Sequence, residues 1–143
     1  MKITICASLD FTYEMKEVAD KLTEQSHEVI LPRTPEMILN GQLILKEIMK
    51  EKESGEIYKR AIKYDAIKRH FLNIKEADAI LVLNYDKKGI KNYIGGNVFL
   101  EMGFAHVLDK KIFLLNEIPE MPYIDEIKIM QPIVLGGDLG KIR

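Results

Sequence analysis

The chain has 143 residues, enough for one compact domain with a buried core. Its 21 basic and 22 acidic residues nearly balance. This balance removes the strongest electrostatic reason to expect a nucleic acid polymer or an anionic membrane as partner. It is still compatible with a local basic patch. Cys6 is the only cysteine, so an intramolecular disulfide and a multi-cysteine metal site are excluded. No apolar run approaches the roughly 20 residues that span a bilayer, and no signal-peptide pattern is present. We therefore expect a cytoplasmic protein.

The first part of the chain alternates between strand-like and helix-like patterns. Residues 3–7 form a short apolar run that predicts a strand, and apolar residues at helical spacing follow from Phe11. Residues 27–31 predict a second strand, which we expect the following prolines to end. Residues 37–49 then have a helical pattern. Three roles are open for residues 37–56: packing on the sheet, covering the site, or contacting a partner subunit. The segment has more apolar residues than one narrow stripe needs, which favours the interface.

The middle of the chain contains the most regular patterns. The charged residues 50–56 predict a solvated helix end with a turn at its Ser-Gly pair, rather than a linker. Residues 57–74 predict one long amphipathic helix, because apolar residues recur three or four positions apart. Residues 79–83 are continuously apolar, as in the buried strand of a parallel sheet, and residues 98–108 predict an apolar helix.

The last part of the chain completes the alternation. Residues 111–115 predict another buried strand, residues 123–130 a short helix, and residues 132–135 a final strand. Strands and helices that alternate in this way favour a mainly parallel sheet of about five strands with helices on both faces. We therefore predict a single α/β domain over residues 1–143 with a three-layer architecture.

Polar residues follow the predicted strands, where an open parallel sheet binds its ligands. Ser8 and Asp10 come after the first strand, Asn84 after the third, and Asn116 after the fourth. We expect these side chains to lie at a binding cleft. Helix capping is an alternative role for Ser8 and Asp10, and it is compatible with an anion at a helix N-terminus.

A loop with two adjacent glycines precedes the apolar helix. Gly95 and Gly96 let a backbone approach a ligand closely, and Tyr93 and Asn97 flank them. We expect Asn97 to be the N-cap of the helix. The loop lacks the lysine of a phosphate-binding P-loop and the three glycines of the dinucleotide fingerprint, so it indicates neither site.

Glu101 is the most informative residue, because it is the only carboxylate in a helix that is apolar nearly all round. One interpretation is stabilisation by the helix dipole or by a basic partner. The other is a partly desolvated carboxylate at the ligand cleft, available for catalysis.

His70 lies beside the apolar stripe of its predicted helix, a position typical of structural or surface histidines. No histidine or carboxylate pair has metal-ligand spacing, so we expect no metal site. No nucleophile-elbow motif is present, and Cys6 has no histidine near it in sequence, which disfavours serine and cysteine hydrolases.

The sequence resembles the nucleoside 2-deoxyribosyltransferase-like superfamily, which includes deoxyribosyltransferases and deoxynucleoside 5′-monophosphate N-glycosidases. The resemblance extends from residues 3–8 (ITICAS) to residues 111–115 (KIFLL), and its specific parts are residues 74–83 (IKEADAILVL) and 96–105 (GNVFLEMGFA). It implies a Rossmann-like, flavodoxin-type sheet, no cofactor, and dimers or larger assemblies.

The resemblance also implies site residues. The family's nucleophilic glutamate corresponds to Glu101, and the serine beside the phosphate corresponds to Ser8. Two positions depart from the family pattern, since His70 replaces an aspartate near the sugar and Gly95 replaces an acidic or serine residue.

The expected function is cleavage or exchange of the N-glycosidic bond of a nucleoside or nucleoside 5′-monophosphate, with Glu101 as nucleophile. Two alternatives remain open at this point. One is a nucleotide-binding or sensing module without turnover, and the other is a glycohydrolase that acts on a ribonucleotide or a dinucleotide.

Overall fold

The computed structural model describes residues 1–143. Five strands form one sheet: β1 (Lys2–Cys6), β2 (Glu28–Ile30), β3 (Ala79–Val82), β4 (Lys111–Leu114) and β5 (Ile133–Val134). Seven α-helices connect them: α1 (Thr12–Glu24), α2 (Arg33–Leu39), α3 (Leu45–Glu53), α4 (Ile57–Lys63), α5 (Ala66–Glu76), α6 (Gly96–Val107) and α7 (Ile124–Ile129). Two short 3₁₀ helices, Leu9–Phe11 and Leu139–Lys141, complete the structure. No helix is long and apolar enough to cross a membrane.

The sheet order is β2-β1-β3-β4-β5, and all neighbouring strands are parallel. This is the flavodoxin-like order, in which the chain winds in opposite directions on either side of the β1–β3 pair. The predicted α/β class and three-layer arrangement are confirmed. The carboxyl ends of β1 and β3 therefore meet at the switch point, where such sheets bind ligands.

Alternation along the strands divides the core between the two faces of the sheet. Ile3 and Ile5 face one side, where they pack with α1 and the C-terminal 3₁₀ helix. Cys6 faces the other side, where it packs with residues of α5, α6 and α7. The central strand β3 is buried along its whole length, because helices cover both faces.

The predicted helix over residues 37–49 is wrong, since two helices occupy this region. Helix α2 begins earlier, and Pro35 lies in its first turn, where a proline is tolerated, instead of ending a strand. Helix α2 ends at Leu39, and Gly41 takes a positive φ of 83° just beyond it. A glycine often ends a helix at this position. The apolar periodicity continues past Gly41 and therefore predicted one uninterrupted helix.

The predicted helix over residues 57–74 is also two helices, α4 and α5. Asp65 interrupts it with a left-handed φ of 49°. No glycine or proline marks the break, and the apolar spacing continues across it, so the sequence has no local signal for it. The predicted turn at the Ser-Gly pair within the charged segment 50–56 is confirmed, because α3 ends at Glu53 and Gly55 has a φ of 78°.

Candidate active site

A cavity of about 360 Å³ opens at the carboxyl ends of β1 and β3, within the size range of small-molecule sites. Residues directly after both strands line it, as expected at the switch point of the sheet. Six basic side chains line the cavity, whereas Glu101 is the only acidic one. The basic residues are Arg33, Lys52, Arg60, Arg69, Lys87 and Lys88. Lys52 and Lys87 pair with Asp10, and Arg60 pairs with Glu51, which leaves Arg33, Arg69 and Lys88 without a carboxylate partner. This local excess of basic groups suits an anionic ligand.

Glu101 lies in α6, and its side chain is 18% exposed at the cavity wall. Its Oε2 atom is buried and has no hydrogen-bond partner. Burial raises the pKa of Glu101 to about 8, because a hydrogen bond with the Cys6 thiol offsets only part of the desolvation of the charged form. A carboxyl group with this environment is typical of a functional site and not of a structural ion pair.

His70 is buried beside Glu101, with its Nε2 atom 3.8 Å from Oε2 of the carboxyl group. The same nitrogen lies 3.5 Å from the Cys6 sulfur, and the Asn73 amide nitrogen lies 3.3 Å from Nδ1. Burial lowers the pKa of His70 to about 4, so the imidazole is neutral at neutral pH. The structure therefore places His70 at the cavity, whereas its position in the helix alone suggested a surface or structural histidine. The role near the sugar that the resemblance implies for His70 stays a prediction.

Ser8 and Asp10 do not cap the following helix with their side chains. They bind two lysines instead. Asp10 accepts hydrogen bonds from Lys52 at 2.7 Å, and its other oxygen lies 3.1 Å from the Lys87 ammonium. Ser8 accepts a hydrogen bond from Lys87 at 2.7 Å. Burial raises the pKa of Asp10, but the hydrogen bonds from the two lysines outweigh it and lower the pKa to about 2.

Aromatic rings line the cavity together with the basic groups. The Arg33 guanidinium lies 3.9 Å above the centre of the Tyr64 ring, a cation–π arrangement. Tyr93 lies near Lys87 and Lys88, whose ammonium groups are 5.9 and 5.7 Å from its ring centre. Flat surfaces of this kind can stack against a planar ligand group.

The glycine loop reaches the cavity as predicted, since Tyr93, Gly95, Gly96 and Asn97 all line it. The predicted N-cap is wrong: Gly95, with extended backbone, caps α6, and no side chain bonds the helix end. A Cβ atom at Gly95 would lie 3.2 Å from the Tyr93 ring, so a larger residue would displace this ring. The free N-terminus of α6 adds a positive dipole end to the site.

Asn84 does not line the cavity, although it follows β3. Its amide nitrogen donates to the carbonyls of Asn116 and Glu117, and its oxygen accepts from the Asn116 backbone N–H. The side chain is fully buried. It therefore joins the loops after β3 and β4, and Asn116 is occupied in the same contact.

Sequence reasoning missed most of the basic residues of the site. Lys87 and Lys88 follow β3 by a few residues, so the rule for strand ends could have indicated them. Lys52 lies in a segment that reads as a solvated helix end, and Arg33 follows Pro32 with no distinguishing pattern. Only the packing of α2, α3 and α4 over the end of the sheet brings these residues to the cavity.

No protein-family profile matches the sequence, and no curated protein matches it. Among solved structures, the chain is similar to the CMP N-glycosidase BcmB of Clostridium botulinum, with 13% identity over 95% of this chain and 90% of that chain, and a TM-score of 0.52. A 2-deoxyribosyltransferase of Bacillus psychrosaccharolyticus matches 80% of this chain and 71% of that chain at 19% identity, with a TM-score of 0.38. The chain thus has the fold that its resemblance to the nucleoside 2-deoxyribosyltransferase-like superfamily implies.

Proposed function

We propose that this protein cleaves or exchanges the N-glycosidic bond of a nucleoside 5′-monophosphate, with Glu101 as the nucleophile. One observation carries the proposal: Glu101, whose Oε2 atom is buried and unpartnered, is the only carboxylate among the residues that line a cavity with six basic side chains. The CMP N-glycosidase that has the same fold is consistent with this substrate class.

The proposed reaction has two steps. The Glu101 carboxylate forms a bond to the anomeric carbon of the sugar while the glycosidic C–N bond breaks, and the bonding pair leaves with the base, which takes up a proton. Water then attacks the same carbon, which releases the sugar, a proton and the carboxylate. In an exchange reaction a second base replaces the water. Neither step needs a metal or an organic cofactor.

The basic residues near Ser8 are the proposed phosphate site. Lys52 and Lys87 converge on the Ser8 hydroxyl and on Asp10, so their four groups already form a polar cluster with two cations. A phosphate oxygen can take the place of one Asp10 oxygen, since both are anionic hydrogen-bond acceptors. The N-terminus of α6 also favours negative charge.

The remaining polar and aromatic groups would orient the nucleoside. Tyr64 and Tyr93 present ring faces that can stack on a base, and Asn97 presents an amide to the same cavity. His70 is neutral, so a sugar hydroxyl that replaces the Cys6 or Asn73 contact of one imidazole nitrogen would add no charge beside Glu101.

A second candidate is a nucleotide-binding module without turnover. The raised pKa of Glu101 favours it, because a carboxyl with a pKa of about 8 is mostly protonated at neutral pH and is then a poor nucleophile. The same cavity would bind the ligand in this case, so only the rate of base release distinguishes the two candidates.

Base release measured by chromatography tests the proposal. Ribonucleosides, 2′-deoxynucleosides, their 5′-monophosphates and a dinucleotide are incubated with the protein, with and without an acceptor base. We expect release that Glu101→Gln abolishes, since this substitution keeps the shape and removes the nucleophilic charge. Nucleotide binding with no release by the wild type would contradict the enzyme and favour the binding module. A dinucleotide as the preferred substrate would favour the remaining alternative, a glycohydrolase that acts on a ribonucleotide or a dinucleotide.

Two further measurements separate the roles. Lys87→Met should reduce kcat/KM for a monophosphate far more than for its nucleoside. Lys91 is exposed and does not line the cavity, so Lys91→Met should change neither value.

A 2′-fluoro nucleotide that reacts slowly should leave its sugar on the peptide that contains Glu101, as mass spectrometry would detect. A labelled peptide without Glu101 would overturn the nucleophile.

A further inference from the structure

Three side chains with metal-binding atoms meet at the inner wall of the cavity. Cys6 comes from β1, His70 from α5 and Glu101 from α6. Their ligand atoms, Sγ, Nε2 and a carboxyl oxygen, all lie within 4.8 Å of one another. The three residues are far apart in sequence, so the spacing rules for metal motifs could not detect them.

The distances suit a tetrahedral zinc ion. Zinc binds sulfur at about 2.3 Å, nitrogen at about 2.0–2.1 Å and carboxylate oxygen at about 2.0–2.2 Å, which places tetrahedral neighbours about 3.3–3.6 Å apart. Here Sγ lies 3.5 Å from Nε2, and Nε2 lies 3.8 Å from Oε2. The third pair, the Cys6 sulfur and the Glu101 carboxyl oxygen, lies within 4.8 Å, so side-chain rotations that shorten this distance would bring all three atoms within bonding distance of one ion.

The surroundings satisfy two further requirements. Oε2 of Glu101 is buried and lacks a hydrogen-bond partner, so a ligand atom is free to coordinate. The Asn73 amide lies 3.3 Å from Nδ1 of His70, and turning this amide presents its oxygen to an Nδ1–H, which leaves Nε2 free for a metal. His70 and Glu101 line the cavity, whereas Cys6 lies fully buried behind them, so the fourth position faces the cavity.

We propose that Cys6, His70 and Glu101 form a site for Zn²⁺ or a similar borderline-soft divalent cation, with a water in the open fourth position. The thiol releases its proton when the ion binds. A mixed sulfur, nitrogen and oxygen ligand set with one open position prefers zinc over magnesium or calcium, which take oxygen ligands. The ion would bind the carboxylate of Glu101, which is the nucleophile of the proposed reaction, so zinc would act there as an inhibitor.

Binding of Co²⁺ and Zn²⁺ to the metal-free full chain tests the site without any turnover. We expect a near-ultraviolet thiolate-to-cobalt charge-transfer band that one equivalent of Zn²⁺ removes. Cys6→Ser should abolish this band, and Cys6→Ser and Glu101→Gln should each weaken zinc binding, measured against a chromophoric chelator, by more than about tenfold. Because Cys6 is fully buried, Glu101→Gln provides the second variant if the serine protein folds poorly.

Two histidine variants are the matched controls. His106→Ala changes an exposed residue of the same helix, α6, and His27→Ala removes the imidazole that lies 3.0 Å from the N-terminal amine, the other nitrogen pair that could bind zinc. Both should retain the wild-type affinity. No cobalt band in the wild type, or unchanged zinc affinity in Cys6→Ser and Glu101→Gln, would overturn the site. Such a result would not contradict the proposed reaction, because base release is a separate measurement and neither step of the reaction needs a metal.

Discussion

His70 and Glu101 approach within 3.8 Å of each other, yet they do not form an ion pair at neutral pH. Burial moves their pKa values in opposite directions, to about 4 for His70 and to about 8 for Glu101. Each group is therefore neutral between these values, because the desolvation of two charges outweighs their attraction. The site holds an uncharged imidazole beside a carboxyl group that gains its charge only as the pH approaches 8.

The pH dependence of catalysis follows from the pKa of Glu101. A nucleophilic carboxyl group must lose its proton, so kcat/KM should rise about tenfold per pH unit below pH 8 and level off above it. Initial rates of base release from pH 5.5 to 9.5 (about four units) would measure this. A profile that is flat from pH 5.5 upwards would contradict a protonated Glu101 in the free enzyme.

The same shift affects stability. The folded state holds the Glu101 proton more tightly than the unfolded chain does, where the pKa of this carboxyl group is near 4.5. Proton binding by Glu101 therefore stabilises the folded state fully below pH 4.5, and this stabilisation is lost as the pH rises through 8. Glu101→Gln keeps a neutral group at all pH values. We expect the variant to exceed the wild type in stability by on the order of 3 kcal/mol at pH 7, or roughly 10 °C in Tm.

The pH dependence of this difference identifies its cause. Thermal unfolding of both proteins should give equal Tm values near pH 4.5 and a gap that widens up to pH 8. His70 contributes in the opposite sense, since its folded pKa is lowered: its stabilising effect is present above pH 6.5 and is lost as the pH falls through 4. Both proteins contain His70, so this effect cancels in the comparison. A gap that is independent of pH would point to packing instead of charge.

We expect Asp10 to compete with an anionic ligand for Lys52 and Lys87, because both lysines contact its carboxylate. Asp10→Asn keeps the size of the side chain and removes the charge that now binds both lysines. We expect the Kd of a nucleoside 5′-monophosphate to fall about threefold to tenfold, with a smaller gain at high salt. Calorimetric titration would measure it, and the uncharged nucleoside provides the control. Weaker binding by the variant would mean that Asp10 positions the lysines instead of competing for them.

Asn84 should matter for stability and not for the ligand. Its fully buried amide satisfies three backbone groups in the loop after β4, and Asn84→Ala would leave them unpaired. We expect a loss of about 2–4 kcal/mol in the free energy of unfolding. The KM for the nucleotide should stay within about twofold of the wild-type value. Denaturant unfolding and initial rates would measure the two quantities, and a large change in KM with no loss of stability would contradict this role.

The architecture follows from local patterns in the sequence. Continuous apolar runs predict the central strands, and helical spacing predicts α1, α6 and α7, because each element must bury one face or both. The two wrong helix predictions, over residues 37–49 and 57–74, have a common cause. The apolar periodicity continues across both helix breaks, at Gly41 and Asp65. Each break depends on one residue in the left-handed conformation, and no proline marks it in the sequence.

The sequence by itself determined the sheet, the edge of the sheet at which the cavity opens, and the unusual position of Glu101 in an apolar helix. Only the tertiary structure decided which groups surround that carboxyl. His70 and Cys6 reach it from different elements, and Lys52 and Arg33 reach the cavity from helices that cross the end of the sheet. Local periodicity reports how one element buries its own face, whereas contacts between residues that are distant in sequence depend on how helices cross the sheet, which no local pattern encodes.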